Sequence, residues 1–161
     1  MTIEIGAKLP EATLLKMGEA GAETVNLADR LKGRKVVIFG LPGAYTSTCS
    51  TAHVPSFIRT AGKLAEKGVD EIICVSVNDP FVMKAWGEAT GATAAGITML
   101  ADADSSFSKA VGQTFDVPHL GFFARSKRYS LLAEDGVVTQ FNPEVGPGCE
   151  ISAGEHLLSQ L

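Results

Sequence analysis

Apolar residues run without a break through residues 35–40 (KVVIFG), and β-branched side chains dominate the run. That is the pattern of a strand covered on both faces. The loop Leu41-Pro42-Gly43-Ala44-Tyr45 follows, and Thr46, Ser47 and Thr48 then offer N-cap hydroxyls. Phe57, Ile58, Ala61, Leu64 and Ala65 recur at helical spacing, which predicts a helix from the capping threonines to about Lys67, with Gly68 as its C′ residue. Pro55 lies inside that helix; it lacks an N–H and its ring meets the carbonyl of Thr51, so a kink is expected. A second strand is predicted at 71–77 (EIICVSV) and a helix at 80–90 carrying Phe81, Val82, Ala85 and Trp86 on one face. A third strand at 97–100, a short helix at 105–112 and a terminal helix at 152–161 complete the pattern. Residues 129–133 and 137–141 flank Glu134-Asp135-Gly136, a strong hairpin signal. A central βαβ unit with a late antiparallel hairpin predicts a mixed α/β sheet with helices on its faces.

The chain has 161 residues, 45% hydrophobic and 20% charged. Disorder needs the reverse balance, and with no linker or internal repeat residues 1–161 read as one domain. A net charge of -4 argues against a nucleic-acid binder. Residues 1–6 carry neither a basic n-region nor an apolar h-region, and no apolar run approaches the roughly 20 residues of a membrane span, so neither secretion nor membrane insertion is expected. The chain ends Ser159-Gln160-Leu161, similar to the Ser-Lys-Leu peroxisomal address, which has meaning only in a eukaryotic cell. The plainer reading is a helix end in a cytoplasmic protein.

Three cysteines remain to be explained: Cys49, Cys74 and Cys149. An odd, sparse count is no secreted disulfide framework and points to a reducing compartment. Cys49 falls at the predicted helix start, directly after a buried strand. Free N–H groups and the positive end of the macrodipole there favour a thiolate, the nucleophilic form of cysteine. A buried structural cysteine fits that position equally well until its neighbours are read. Pro42, Thr46 and Cys49 stand in the spacing Pro-x-x-x-Thr-x-x-Cys, in a strand–loop–helix context.

That motif and context resemble the peroxiredoxin active-site signature. Similarity to the type II peroxiredoxins (the type 5 subfamily) extends through Val37-Ile38-Phe39-Gly40-Leu41-Pro42-Gly43-Ala44-Tyr45-Thr46, His53-Val54-Pro55, Ser76-Val77-Asn78-Asp79, Lys127-Arg128-Tyr129-Ser130 and the final seven residues from Glu155. The resemblance implies a thioredoxin-like fold and thiol-dependent reduction of hydrogen peroxide and organic hydroperoxides. It implies that Pro42 walls the pocket, that Gly43 lines it, and that the Thr46 hydroxyl bonds thiolate and peroxide. Cys49 would attack the terminal peroxide oxygen and become a sulfenic acid. Arg128 is the matching catalytic arginine, with Arg125 three residues away as its competitor. His53, four residues after Cys49, shares its helix face; it can tune the thiolate or act as a base, and the family favours a pocket-side packing role.

The sulfenic acid must be reduced. Cys74, between Ile73 and Val75, reads as a small buried hydrophobe rather than a resolving thiol. Cys149 follows Gly146-Pro147-Gly148, a loop able to move, and animal type 5 enzymes carry a resolving cysteine nearby. Here it is displaced by about two residues from their position. Many bacterial and plant members lack that cysteine and are recycled by glutathione and glutaredoxin or by thioredoxin. Both routes stay open. The family also implies a homodimer. His119 and His156 show no ligand spacing, and there is no Cys-x-x-Cys, no His-Glu-x-x-His, no Gly-x-Gly-x-x-Gly and no phosphate-binding Gly-Lys-Ser/Thr. Neither a metal nor a nucleotide cofactor is therefore expected. The alternative is a non-enzymatic thioredoxin-like redox sensor or interaction module. A disulfide oxidoreductase is disfavoured by the missing Cys-x-x-Cys.

Overall fold

Successive side chains of a strand point to opposite faces, so the uninterrupted run at 35–40 demands cover on both. A computed structural model, which describes residues 2–161, supplies it. In chain order the elements are β1 (Thr13–Gly18), β2 (Gly21–Asn26), α1 (Leu27–Leu31), β3 (Lys35–Gly40), a π-helical segment (Cys49–His53) leading into α2 (Val54–Glu66), β4 (Glu71–Ser76), α3 (Pro80–Thr90), β5 (Thr98–Ala101), α4 (Ser106–Ala110), β6 (Thr114–Val117), a 3-10 turn (Pro118–Leu120), β7 (Phe122–Ser126), β8 (Tyr129–Glu134), β9 (Val137–Pro143) and α5 (Gly154–Ser159). Seven strands form one mixed sheet in the order β2-β1-β5-β4-β3-β8-β9, and β6 with β7 forms a separate two-stranded ribbon. Strands β3, β4 and β5 are parallel, while β8 runs antiparallel to β3. This is the expected thioredoxin-like architecture, with helices on both faces.

Val37 and Phe39 face a core completed by Phe57 and Leu64 of α2, Met83 and Trp86 of α3, and Leu157 of α5. Val36 and Ile38 face the opposite core, with Leu27 and Leu31 of α1, Phe107 of α4, and Tyr129 and Leu131 of β8. In the β8–β9 turn Asp135 (φ 51) and Gly136 (φ 79) both take the left-handed backbone that a tight hairpin turn requires.

Three expectations need correction. The buried face of α3 is Pro80, Met83, Trp86 and Gly87. Phe81 is 66% exposed and Ala85 is exposed. Of the four residues expected to share an apolar face only Trp86 is buried and Val82 is half-buried, because the aromatic and branched residues drew the assignment away from the Met83–Trp86–Gly87 stripe. Next, the threonine and serine hydroxyls do not cap the helix. Thr46 Oγ1 donates to Gly43 O at 2.6 Å, Thr51 Oγ1 donates to Ser47 O, and Thr48 makes no side-chain cap bond. Helical backbone begins at Ser47 and passes into the π segment, where the Val54 N–H bonds the Cys49 carbonyl, one residue beyond α-helical register. The disturbance expected at Pro55 is thus taken up just before it, leaving the proline in the first turn of α2, where its missing N–H costs little. Finally, β1, β2, α1, β6 and β7 have no counterpart in the sequence reading. The hairpin strands β1 and β2 bury few residues, chiefly Leu14 and Val25, and so carry little periodic signal.

The end of β3 is held close to the start of β8 by the Gly40–Tyr129 register pair. A side chain at Gly40 would run into the Tyr129 ring and approach Ser126 Oγ to 2.8 Å. Gly40→Ala is therefore expected to destabilise the fold by about 1–3 kcal/mol through overpacking, read as a lower urea midpoint at unchanged m-value.

Candidate active site

Strand β3 delivers the chain into the loop that carries Pro42 and Thr46, and β8 begins one residue after Arg128. Because β3 and β8 are neighbours, Arg128 lies beside that loop and beside the π segment. Cys49 is fully buried and Arg128 is 8% exposed. Arg128 Nη2 donates to Cys49 Sγ at 3.3 Å, and Nη1 donates to His53 Nδ1 at 3.1 Å. An arginine has donors only, so Nδ1 must be the unprotonated ring nitrogen. The other nitrogen, Nε2, carries the proton and donates to the Ser152 carbonyl at 3.1 Å. Burial, and then the positive charge of Arg128, depress His53 from its ordinary 6.5 to about 3, against the opposing effect of the Ser152 bond. His53 is thus a neutral ring with one fixed tautomer. It also packs, with ring centroids 5.0 Å from Phe39 and 5.7 Å from Phe57.

Arg128 also lines a cleft of about 310 Å³, together with Pro42, Phe115, Lys127, Val145 and Pro147. The competing arginine, Arg125, is used otherwise. Its Nη1 donates to Pro42 O at 2.9 Å, and its guanidinium stacks 4.7 Å above the Phe122 ring. It braces the Pro42 loop from outside, where a side chain at Gly43 would collide with it. Asn78 holds the same loop by accepting from the Ala44 N–H at 3.0 Å. Behind the helix start, Trp86 Nε1 donates to Ser50 Oγ at 3.0 Å.

None of the three cysteines is in a disulfide. Cys74 sits opposite Phe39 in the β3–β4 ladder, inside the same core as Cys49, and burial pushes its thiol well up. Cys149 is half-buried, its Sγ lies 3.6 Å from Ser152 Oγ, and burial again pushes the thiol up. Sequence reasoning missed Asn78 as a loop anchor and Ser152 altogether. Asn78 lay in a quoted motif, but Ser152 acts through its carbonyl, which every residue possesses.

Comparison with known proteins fits this geometry. Residues 4–158 match the Redoxin family. A rice protein (Oryza sativa subsp. japonica), peroxiredoxin-2E-2, chloroplastic, is 46% identical over 164 residues, covering 99% of this chain and 73% of its own. The chain belongs to the peroxiredoxin family. Among solved peroxiredoxin structures, reduced Prx3 of Vibrio vulnificus in complex with hydrogen peroxide superposes with a TM-score of 0.92 at 46% identity, over 99% of both chains. Peroxiredoxin 5 of Alvinella pompejana gives 0.85 at 29% identity, over 98% of this chain and 96% of that one. These relatives carry the activity as well as the fold: this peroxiredoxin is a thiol-dependent peroxidase that takes a peroxide substrate and a thiol reductant. Among the described residues no helix is long and apolar enough to cross a membrane.

The buried neutral His53 has a consequence for stability. Between pH 6.5 and about 3 the unfolded chain binds a proton at this residue and the folded chain does not. Stability is therefore lost as pH falls through that window, by up to about 1.4 kcal/mol per pH unit from this group. Urea titrations from pH 7 to pH 4 are expected to show this slope in the wild type and a shallower one in His53→Gln.

Proposed function

We propose that Cys49 is the nucleophile of the peroxidase reaction and that Arg128, Thr46 and Pro42 shape its transition state. The observation that carries this reading is the bond from the buried Arg128 guanidinium to Cys49 Sγ. Among the described residues no carboxylate forms an ion pair with Arg128. A buried cation needs an opposite charge nearby, and Cys49 as its thiolate supplies one. The thiolate attacks the terminal oxygen of the peroxide, a sulfur–oxygen bond forms and the oxygen–oxygen bond breaks. The leaving oxygen takes a proton and departs as water or an alcohol, and Cys49 becomes a sulfenic acid. Negative charge moves from sulfur to the leaving oxygen in that step. A guanidinium held by His53 is there to follow it, and the Thr46 hydroxyl, whose proton goes to Gly43 O, keeps lone pairs with which to accept from the peroxide O–H. Phe115, Val145 and Pro147 give the cleft an apolar wall suited to the tail of an organic hydroperoxide.

An outside thiol, glutathione with glutaredoxin or thioredoxin, then reduces the sulfenic acid. What supports this over Cys149 is that the Cys149 thiol is turned to Ser152 and made less acidic by burial. The site serves a homodimer: Tyr45, Phe81, Leu120 and Phe123 are each at least 59% exposed, on or beside the elements that frame the active-site loop. Three free cysteines fit a reducing compartment such as the cytoplasm.

Stopped-flow mixing with hydrogen peroxide is expected to show rapid peroxide loss with the wild type and none with Cys49→Ser. Loss at the wild-type rate in the variant contradicts the assignment. Mass spectrometry after one equivalent of peroxide is expected to find a sulfenic acid at Cys49, whereas a Cys49–Cys149 linkage would place the resolving step within the chain.

A further inference from the structure

The hydrogen bonds that aim Arg128 do not end at His53. Ser152, whose carbonyl receives the His53 Nε2 proton, is fully buried, yet it closes a strap whose middle is open. Val145 in that strap is 96% exposed, and Gly146-Pro147-Gly148 follows it. One side chain gathers the two ends. Glu144 Oε2 accepts from Ser152 Oγ at 2.7 Å, from the Glu150 N–H at 2.9 Å and from the Ser152 N–H at 3.1 Å. The Glu144 N–H itself donates to the Arg128 carbonyl at 2.9 Å. Burial alone would push the Glu144 carboxyl up, but the bonds from Ser152 and the 150–152 backbone hold it below the ordinary carboxylate range. On the far side of Ser152, the Gly154 N–H donates to Ser56 Oγ at 2.9 Å, and a side chain at Gly154 would meet Ser56 O at 2.6 Å. Ser152 is thus pinned from both directions, by α2 below and by Glu144 above.

We propose that Glu144 is a positioning residue for peroxide reduction: its carboxylate clasps Ser152, the Ser152 carbonyl fixes the His53 tautomer, and His53 holds the Arg128 guanidinium on the Cys49 sulfur. The inference rests on the roles given above to Cys49 and Arg128. Its physical core is the tautomer. With Nε2–H committed to a fixed carbonyl, Nδ1 presents a lone pair to Arg128 Nη1. If the carbonyl drifts, the proton can move to Nδ1, two donors then face each other, and the guanidinium loses its aim. The Glu144 carboxylate bonds neither Cys49 nor the Arg128 guanidinium, and the backbone bond from the Glu144 N–H to the Arg128 carbonyl is kept in every side-chain variant, so what a substitution at Glu144 changes passes through this chain. A bare electrostatic role would have the opposite sign, because a carboxylate near the site opposes a thiolate, and removing it would speed the reaction.

The test uses the full-length protein, with peroxide reduction followed by stopped flow at neutral pH and the His53 ring nitrogens followed by 15N NMR. Wild type is expected to react rapidly and to show Nε2 protonated and Nδ1 unprotonated. Glu144→Ala is expected to slow the reaction about tenfold or more and to bring the two nitrogen shifts toward each other as tautomers mix. Glu144→Gln keeps an acceptor oxygen for Ser152 and is expected to restore both readouts to near wild type. If Glu144→Ala does not fold, Glu144→Asp, one methylene short of Ser152, is expected to move both readouts in the same direction in a folded chain. An unchanged or faster reaction with unchanged His53 shifts in a folded Glu144→Ala or Glu144→Asp protein overturns the clasp. Failure of the wild type itself to react at Cys49 would instead overturn the reading on which the clasp rests.

Discussion

A guanidinium out of water needs acceptors for its N–H groups and an opposite charge nearby, and in this protein the side chain of Arg128 meets one sulfur atom and one histidine ring. Nη2 is taken by Cys49 and Nη1 by His53. Neither partner would serve as well alone. The sulfur is the atom proposed to react, so a donor held only by it would be free to swing when chemistry begins. The histidine is neutral, so a cation held only by it would be buried without an anion. Together they hold a cation at the place where, in the proposed reaction, negative charge develops.

The fold can be read as the set of elements needed to bring those three residues together from distant parts of the chain. Pairing of β3 with β8 sets Arg128 beside the loop after β3. The π segment places Cys49 and His53 four residues apart with both side chains turned to the same guanidinium. Two cores, one on each face of the sheet, make the positions of β3 and β8 rigid. Arg125 and Asn78 fix the Pro42 loop from outside, so the mouth of the cleft is built by residues that take no part in the bond rearrangement.

Much of this was legible in the sequence. The central strands, α2, α3 and the β8–β9 hairpin follow from runs of apolar residues and from Glu134-Asp135-Gly136, because burial on both faces and a two-residue left-handed turn leave strong local signatures. Cys49, Thr46, Pro42 and Arg128 were singled out from spacing and family resemblance; the structure brings Arg128 onto Cys49 Sγ, and the catalytic roles given to all four are the proposal. What was not legible shares a physical cause. The hairpin β1–β2 and the ribbon β6–β7 bury little, so their periodicity is weak. The π segment lies directly before Pro55, and no local pattern in the sequence marks it. The Ser152 carbonyl accepting from His53 and the Glu144 carboxylate accepting from the Glu150 and Ser152 N–H groups are contacts that depend on where the chain returns after β9 and not on any local pattern. The outward placement of Phe81 shows the reverse error, in which hydrophobic character was equated with burial.

In the proposed reaction Arg128, and not its neighbour Arg125, serves the reacting sulfur. That assignment is tested most directly by the second-order rate constant for hydrogen peroxide in Arg128→Gln and Arg125→Gln, each confirmed as folded. The account predicts a loss of about 100- to 1,000-fold for Arg128→Gln, the range that follows removal of one fixed donor at a developing charge, and a much smaller loss for Arg125→Gln. A larger loss in Arg125→Gln, or an undiminished rate in Arg128→Gln, would contradict it.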